Sequence, residues 1–134
     1  MSNYFRKQFL IPDAMFKIRH GGQDHFFLLE IDKGTIAQKW MLKRYQAYYD
    51  WWKTGGHLQD FGITSVRILT VTTSQKRMDN LMRACCEIKR GGRGSALFWF
   101  TTIKNVDIFK PKRLLAHIWR KALTDDTKLY SLLE

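Results

Sequence analysis

Residues 25–32 read HFFLLEID, and this run constrains the fold more than any other stretch of the chain. An apolar segment of that length, with its charges saved for the end, is the pattern of a strand buried on both faces. The stretch before it, 14–19, alternates Met15, Lys17 and Arg19 against Phe16, Ile18 and His20, which suits a half-exposed strand. The turn cluster Gly21-Gly22-Gln23-Asp24 lies between them, so the two runs are expected to pair as a hairpin.

Gly34-Thr35 breaks the second strand, and Thr35 is placed to N-cap a helix over 36–53. That helix carries Trp40, Met41, Tyr45, Tyr48 and Trp52 at three- and four-residue spacings, with Lys39, Lys43 and Arg44 interleaved, and Gly55-Gly56 ends it. Most of its rings are expected to pack against the sheet, with Tyr49 and Trp51 at the surface. A loop through Phe61-Gly62 leads to a β-branched strand over 66–72. Ser74 then N-caps a helix over 75–89 whose Met78, Leu81, Met82 and Cys85 share one face. A basic glycine loop (Lys89 to Gly94) follows, then an apolar strand over 96–101, a short apolar patch at 106–109, and a last helix from Pro111 to about Ala122.

The predicted order is β-β-α-β-α-β-α. It implies one mixed central sheet flanked by helices on both faces, an α/β fold bordering on α+β. With 134 residues a single domain is expected, over 11–134, with 1–10 as a lead-in arm or remnant strand.

The balance of 23 basic and 12 acidic residues leaves a net charge of +11. Such a surface attracts polyanions, nucleic acid first and an anionic membrane surface second, although a merely soluble basic protein would carry the same signal. No apolar run approaches the ~20 residues of a membrane span, and no signal-peptide h-region is present. Cys85 and Cys86 are adjacent and fit neither an ordinary disulfide nor a zinc spacing, which points to a reducing, cytoplasmic setting. The absence of a GxxxxGK[ST] pattern argues against an NTPase. His20, His25, His57 and His117 are too scattered for a two-histidine metal relaxase with a tyrosine nucleophile.

Three carboxylates carry the sharpest chemical signal. Glu30 and Asp32 are i and i+2 on one strand and share a face, and Asp13 stands just before the neighbouring strand of the same hairpin. Converging there, they could hold Mg²⁺ or Mn²⁺, which activates water and stabilises charge in phosphodiester hydrolysis. The plainer alternative is that Asp13 caps a turn after Pro12 while Glu30 and Asp32 are solvated where the strand leaves the core. Lys39 or Lys43 from the next helix would stabilise the extra negative charge. Lys33, Arg44, Tyr49, Lys89, Arg90, Arg93, Lys112 and Arg113 are the candidate DNA contacts, against the plainer reading of solvated faces. Trp40, Tyr45, Tyr48, Tyr49, Trp51 and Trp52 are candidate base-stacking rings, against the plainer reading of core packing.

Pro12-Asp13, a hairpin, then Glu30-x-Asp32 at the end of a buried strand and a helix resembles the PD-(D/E)XK nuclease superfamily. More narrowly, Pro12-Asp13 with Leu29-Glu30-Ile31-Asp32-Lys33-Gly34-Thr35 and the helix bearing Lys39, Lys43, Arg44, Tyr45, Tyr48 and Tyr49 resembles the replication-relaxation family, over about 11–102. The resemblance implies a restriction-endonuclease-like core and a DNA-binding protein of plasmid or mobile-element replication and DNA relaxation. It implies a Mg²⁺-dependent nicking activity at Asp13, Glu30 and Asp32, with Lys39 or Lys43 assisting. Two departures accompany it. Asp32 stands where the superfamily usually has lysine, which leaves open a catalytically inactive DNA-binding or replication-accessory module. Family members also carry an N-terminal winged-helix region, so the chain is expected to be a fragment or a stand-alone half, partnered by such a region or by a replication protein.

Overall fold

In a computed structural model of the chain, residues 10–89, 91–107 and 109–134 are described. The lead-in arm expected over 1–10 therefore lies outside the described residues except for Leu10, and so does Arg90.

The chain forms a mixed five-stranded sheet flanked by α-helices, a generic α/β arrangement. The strands are β1 (Ala14–His20), β2 (Gln23–Ile31), β3 (Val66–Thr72), β4 (Gly94–Thr102) and β5 (Arg120–Leu123), and they lie in the sheet in chain order. The predicted hairpin is present, with Ala14 opposite Leu29 and His20 opposite Gln23. Gly21 and Gly22 both take positive φ (61° and 77°), the geometry of a two-residue hairpin turn that matches strand twist. β2, β3 and β4 are mutually parallel, and β5 returns antiparallel to β4.

Parallel neighbours need crossovers, and helices supply them. Helices α1 (Gln38–Lys53) and α2 (Gly56–Phe61) join β2 to β3, and α3 (Gln75–Cys86) joins β3 to β4. Successive right-handed crossovers in an unbroken strand order put their helices on one face. Accordingly, Met41, Tyr45, Tyr48 and Trp51 of α1 and Met78, Leu81 and Cys85 of α3 share one core with Leu28, Ile68, Phe98 and Phe100 of the sheet.

The opposite face is covered differently from the expectation. Phe27, Leu69, Val71 and Trp99 pack there under Ile118, Trp119 and Leu132, with Leu114 and Leu115 at the margin. The helix predicted over 111–122 does not form. Pro111–Leu115 makes one 3-10 turn, and Arg120–Leu123 is strand β5. Pro111 does start helical geometry, but the chain then turns extended: Trp119 bridges Tyr130 and is fully buried on this face, while Ala122 of β5 is fully buried in the helix-covered core.

Three further expectations are corrected. Tyr49 and Trp51 are buried, at 8% and 0% exposure, on different flanks of α1: Tyr49 joins the helix-side core against Trp52, and Trp51 packs on His57 and Phe61 of α2. Thr35 does not cap α1, whose N-cap is Ala37 without any side-chain hydrogen bond. The loop expected before Phe61-Gly62 is helix α2, made possible by left-handed Gly55 and by Gly56 lying against Trp51, where no side chain fits. Ser74 does cap α3, its Oγ accepting from Arg77 N at 3.2 Å.

Candidate functional site

On the helix-covered face, each parallel strand changes character toward its carboxyl end. Leu28, Ile68 and Phe98 stand side by side in register; one pleat on, Glu30 and Thr70 stand beside Phe100, and Thr72 pairs with Thr102. Asp32 follows, its N–H donating to Val71 O at 2.8 Å. A polar row therefore crosses the sheet beneath α1 and α3. The carboxyl ends of parallel strands are where open α/β sheets place their ligands.

Every acid in the row has an internal partner. Glu30 is buried at 6% exposure, and its Oε1 accepts from Arg44 Nε at 2.8 Å, from Arg44 Nη2 at 2.6 Å and from the Tyr48 hydroxyl. Arg44 and Tyr48 are one turn apart on α1, so both reach the same strand position. Arg44 Nη2 also donates to Ile11 O at 2.7 Å, tying the segment before β1 to the helix. Burial pushes the Glu30 carboxyl above the usual range despite the Arg44 and Tyr48 bonds. Burial and the neighbouring Glu30 likewise push the Tyr48 hydroxyl up, so it stays a donor.

Asp32 is buried more deeply but is better satisfied. Its Oδ2 accepts from Arg77 Nε at 2.9 Å and Thr72 Oγ1 at 2.6 Å, and its Oδ1 from Arg77 Nη2 and Gly34 N, each at 3.1 Å. Burial opposes ionisation here too, but the bonds from Arg77, Thr72 and Gly34 outweigh it and hold the carboxyl below its usual value. Between the two acids, the Tyr45 hydroxyl and Thr70 Oγ1 are 2.9 Å apart, satisfying each other in the core.

Asp13 sits at the rim. Its Oδ2 accepts from Ile31 N at 2.7 Å and its own N–H donates to Leu29 O at 2.9 Å, so the side chain extends the β1–β2 ladder by one rung. The hairpin thus brings Asp13 alongside Glu30, as its spacing suggested, and the i, i+2 relation puts Glu30 and Asp32 on one face. What neutralises Glu30 and Asp32 is a guanidinium in each case. Among the described residues, no group of three or more His, Cys, Asp or Glu side chains is arranged to hold a metal ion.

The predicted lysines go elsewhere. Lys39 and Lys43 are exposed and place their Nζ atoms 5.6 and 4.5 Å from the ring centre of Trp40. Of the candidate DNA contacts, Arg44 is engaged with Glu30, and Tyr49 is buried against Trp52, with Lys53 Nζ 5.9 Å from its ring. Lys33, Lys89, Arg93, Lys112 and Arg113 are exposed, and Arg90 lies outside the described residues. Lys33 leaves the carboxyl edge after β2, whereas Lys89 and Arg93 precede β4 and so lie toward the opposite edge. Lys112 and Arg113 belong to the 3-10 turn after β4.

Arg77 is the site residue that sequence reasoning missed. The signal for it was present: an acid buried in an apolar strand needs an internal cation, and Arg77 lies in the first turn of α3, just past the N-cap at the end of the adjacent strand.

Fold and site together define an α/β domain whose carboxyl-edge acids are locked by arginines from its own helices. Comparison with protein-family models, with characterised proteins and with solved structures returns no match for this chain. Among the described residues, no helix is long and apolar enough to cross a membrane.

Proposed function

We propose that this domain is a DNA-binding module that holds the phosphate backbone without cutting it, the non-catalytic variant of the nuclease-like reading. The observation that carries it is a mismatch of charge at the carboxyl edge of the sheet. The strand acids Glu30 and Asp32 are each spent on an internal arginine. The cations that surround the same strand ends, Lys33, Lys39, Lys43, Lys76 and Lys104, are exposed. The register of β2, β3 and β4 brings those strand ends to one edge of the sheet. An edge so biased, on a chain of net charge +11, favours backbone contacts that position DNA without reading its sequence. A replication-accessory role on a restriction-endonuclease-like scaffold follows from the same reading.

The test is binding of a short DNA duplex by fluorescence anisotropy over a salt series, in EDTA and in Mg²⁺, with supercoiled plasmid incubated in parallel. The expected result is salt-dependent binding, unchanged by Mg²⁺, with the plasmid left supercoiled. Absence of binding at low salt would overturn the reading. Mg²⁺-dependent nicking that disappears in Asp13→Ala or Glu30→Ala would replace it with the nuclease reading.

A further inference from the structure

Among the aromatic rings of α1, one stands apart. Tyr45, Tyr48 and Trp51 are fully buried and Tyr49 is nearly so. Trp52 is partly buried and stacks on His57 with ring centres 6.5 Å apart. Trp40 alone is open, at 54% exposure, in the first turn of the helix.

Its surroundings are those of a stacking platform with phosphate contacts beside it. Lys43 Nζ lies 4.5 Å and Lys39 Nζ 5.6 Å from the ring centre. Ile36, 50% exposed, precedes it by one turn's spacing and adds apolar surface. The first turn of α1 contains no acidic residue, and its N-cap Ala37 supplies no side-chain acceptor. The helix dipole therefore adds to the positive potential of the lysines instead of being neutralised. The loop that delivers the ring is fixed from within: Arg77 Nη2, already on Asp32, also donates to Ile36 O at 2.7 Å, and Gln38 Nε2 donates to Asn80 O at 3.4 Å.

An exposed lysine resting on a tryptophan is held weakly, whereas a nucleobase stacking on the same ring is held more strongly. A single strand can offer the base and, at the same time, phosphates for the displaced ammonium groups. A duplex keeps its bases stacked inside and can offer only phosphates.

We propose that Trp40, flanked by Lys39 and Lys43, is a base-stacking site for single-stranded DNA. This rests on the DNA-binding reading above and specifies its ligand. The site is sequence-tolerant, because every base has a face to stack, and its affinity combines ring contact with salt-sensitive backbone attraction.

The experiment compares wild type, Trp40→Ala and Trp40→Phe, each first shown to unfold cooperatively at the same temperature. The probes are a short oligothymidylate, an abasic strand of equal length and a duplex of equal length. The expected result is that Trp40→Ala weakens oligothymidylate binding by about tenfold or more, roughly 1.4 kcal/mol, that Trp40→Phe retains most of the affinity, and that neither change affects the abasic strand or the duplex. Quenching of tryptophan fluorescence by oligothymidylate should be present in wild type and greatly reduced in Trp40→Phe. Equal affinity of wild type and Trp40→Ala for oligothymidylate would overturn the proposal, as would equal affinity of wild type for the abasic strand. In both cases duplex binding would leave the broader reading standing. Failure of wild type to bind any of the three probes at low salt would remove that reading and this one together.

Discussion

Arg77 grips both carboxylate oxygens of Asp32, with Nε 2.9 Å from Oδ2 and Nη2 3.1 Å from Oδ1. The side chain of Asp32 is fully buried, and that of Arg77 is 18% exposed. One guanidinium thereby joins the end of β2, the loop at Ile36 and the first turn of α3. Arg77→Met should cost about 3 kcal/mol, because it strands a buried carboxylate. The double change Asp32→Asn with Arg77→Met should cost less than the single one. Urea unfolding of the three variants checks this.

The two strand acids should pull the pH dependence of stability in opposite directions. Asp32 is held below its ordinary value of 3.8, so its contribution is present above that pH and is lost as pH falls through the folded-state value. Glu30 is raised above its ordinary value of 4.5, so its contribution is complete below 4.5 and is lost as pH rises through the folded-state value. Relative to wild type, Glu30→Gln should therefore gain stability as pH climbs past 4.5. Asp32→Asn should flatten the acid limb below 3.8. Denaturant midpoints collected across that range separate the two.

Tyr48→Phe removes one of the donors to Glu30 and leaves Arg44 to satisfy it alone. The expected cost is about 1–3 kcal/mol, with little change in far-UV circular dichroism.

Gly94 occupies a place that no other residue fits. Its φ is +79°, and a Cβ there would lie 2.0 Å from Ala122 O. Gly94→Ala should cost at least about 2 kcal/mol through backbone clash and strain. Gly22 also has positive φ (+77°) but nothing within 4 Å, so Gly22→Asn, which tolerates that conformation, should be nearly neutral in thermal melts.

If DNA lies along the carboxyl edge, the cations of that edge should set the salt dependence. Lys33→Gln, Lys76→Gln and Lys104→Gln should each lower the slope of log affinity against log salt by about one. Lys89→Gln and Arg93→Gln, toward the opposite edge, should leave it nearly unchanged. Equal effects from both sets would dissociate binding from that edge.

The parts of the fold that were legible in the sequence are those with strong local signals. The hairpin, strand β3 and the Ser74 cap could be read from alternation, β-branching and capping chemistry. Strand β5 could not: RKAL is too short to show a period, and its conformation is set by pairing with β4. The burial of Trp51 was not legible because α2 contacts α1 as well as the sheet does, and Trp51 meets His57 and Phe61 there; Tyr49 joins the same core against Trp52, outside the single three- and four-residue stripe. At the site, chain spacing was enough to bring Asp13 alongside Glu30 and to put Glu30 and Asp32 on one face. It could not say which cation would meet them, because Arg44 and Arg77 arrive from separate helices.

Glu30 takes its donors from successive turns of a single helix, while Tyr45, between them, meets Thr70 on the next strand. A helix held by apolar contacts alone could slide or rotate by a residue at small cost. Here a slip of one residue would carry Arg44, Tyr45 and Tyr48 away from their oxygens together and leave a charge in the core without a donor. The polar row works as the wards of a lock do: it admits α1 in one position along the sheet and one rotation about its axis, and so determines which of that helix's rings face solvent.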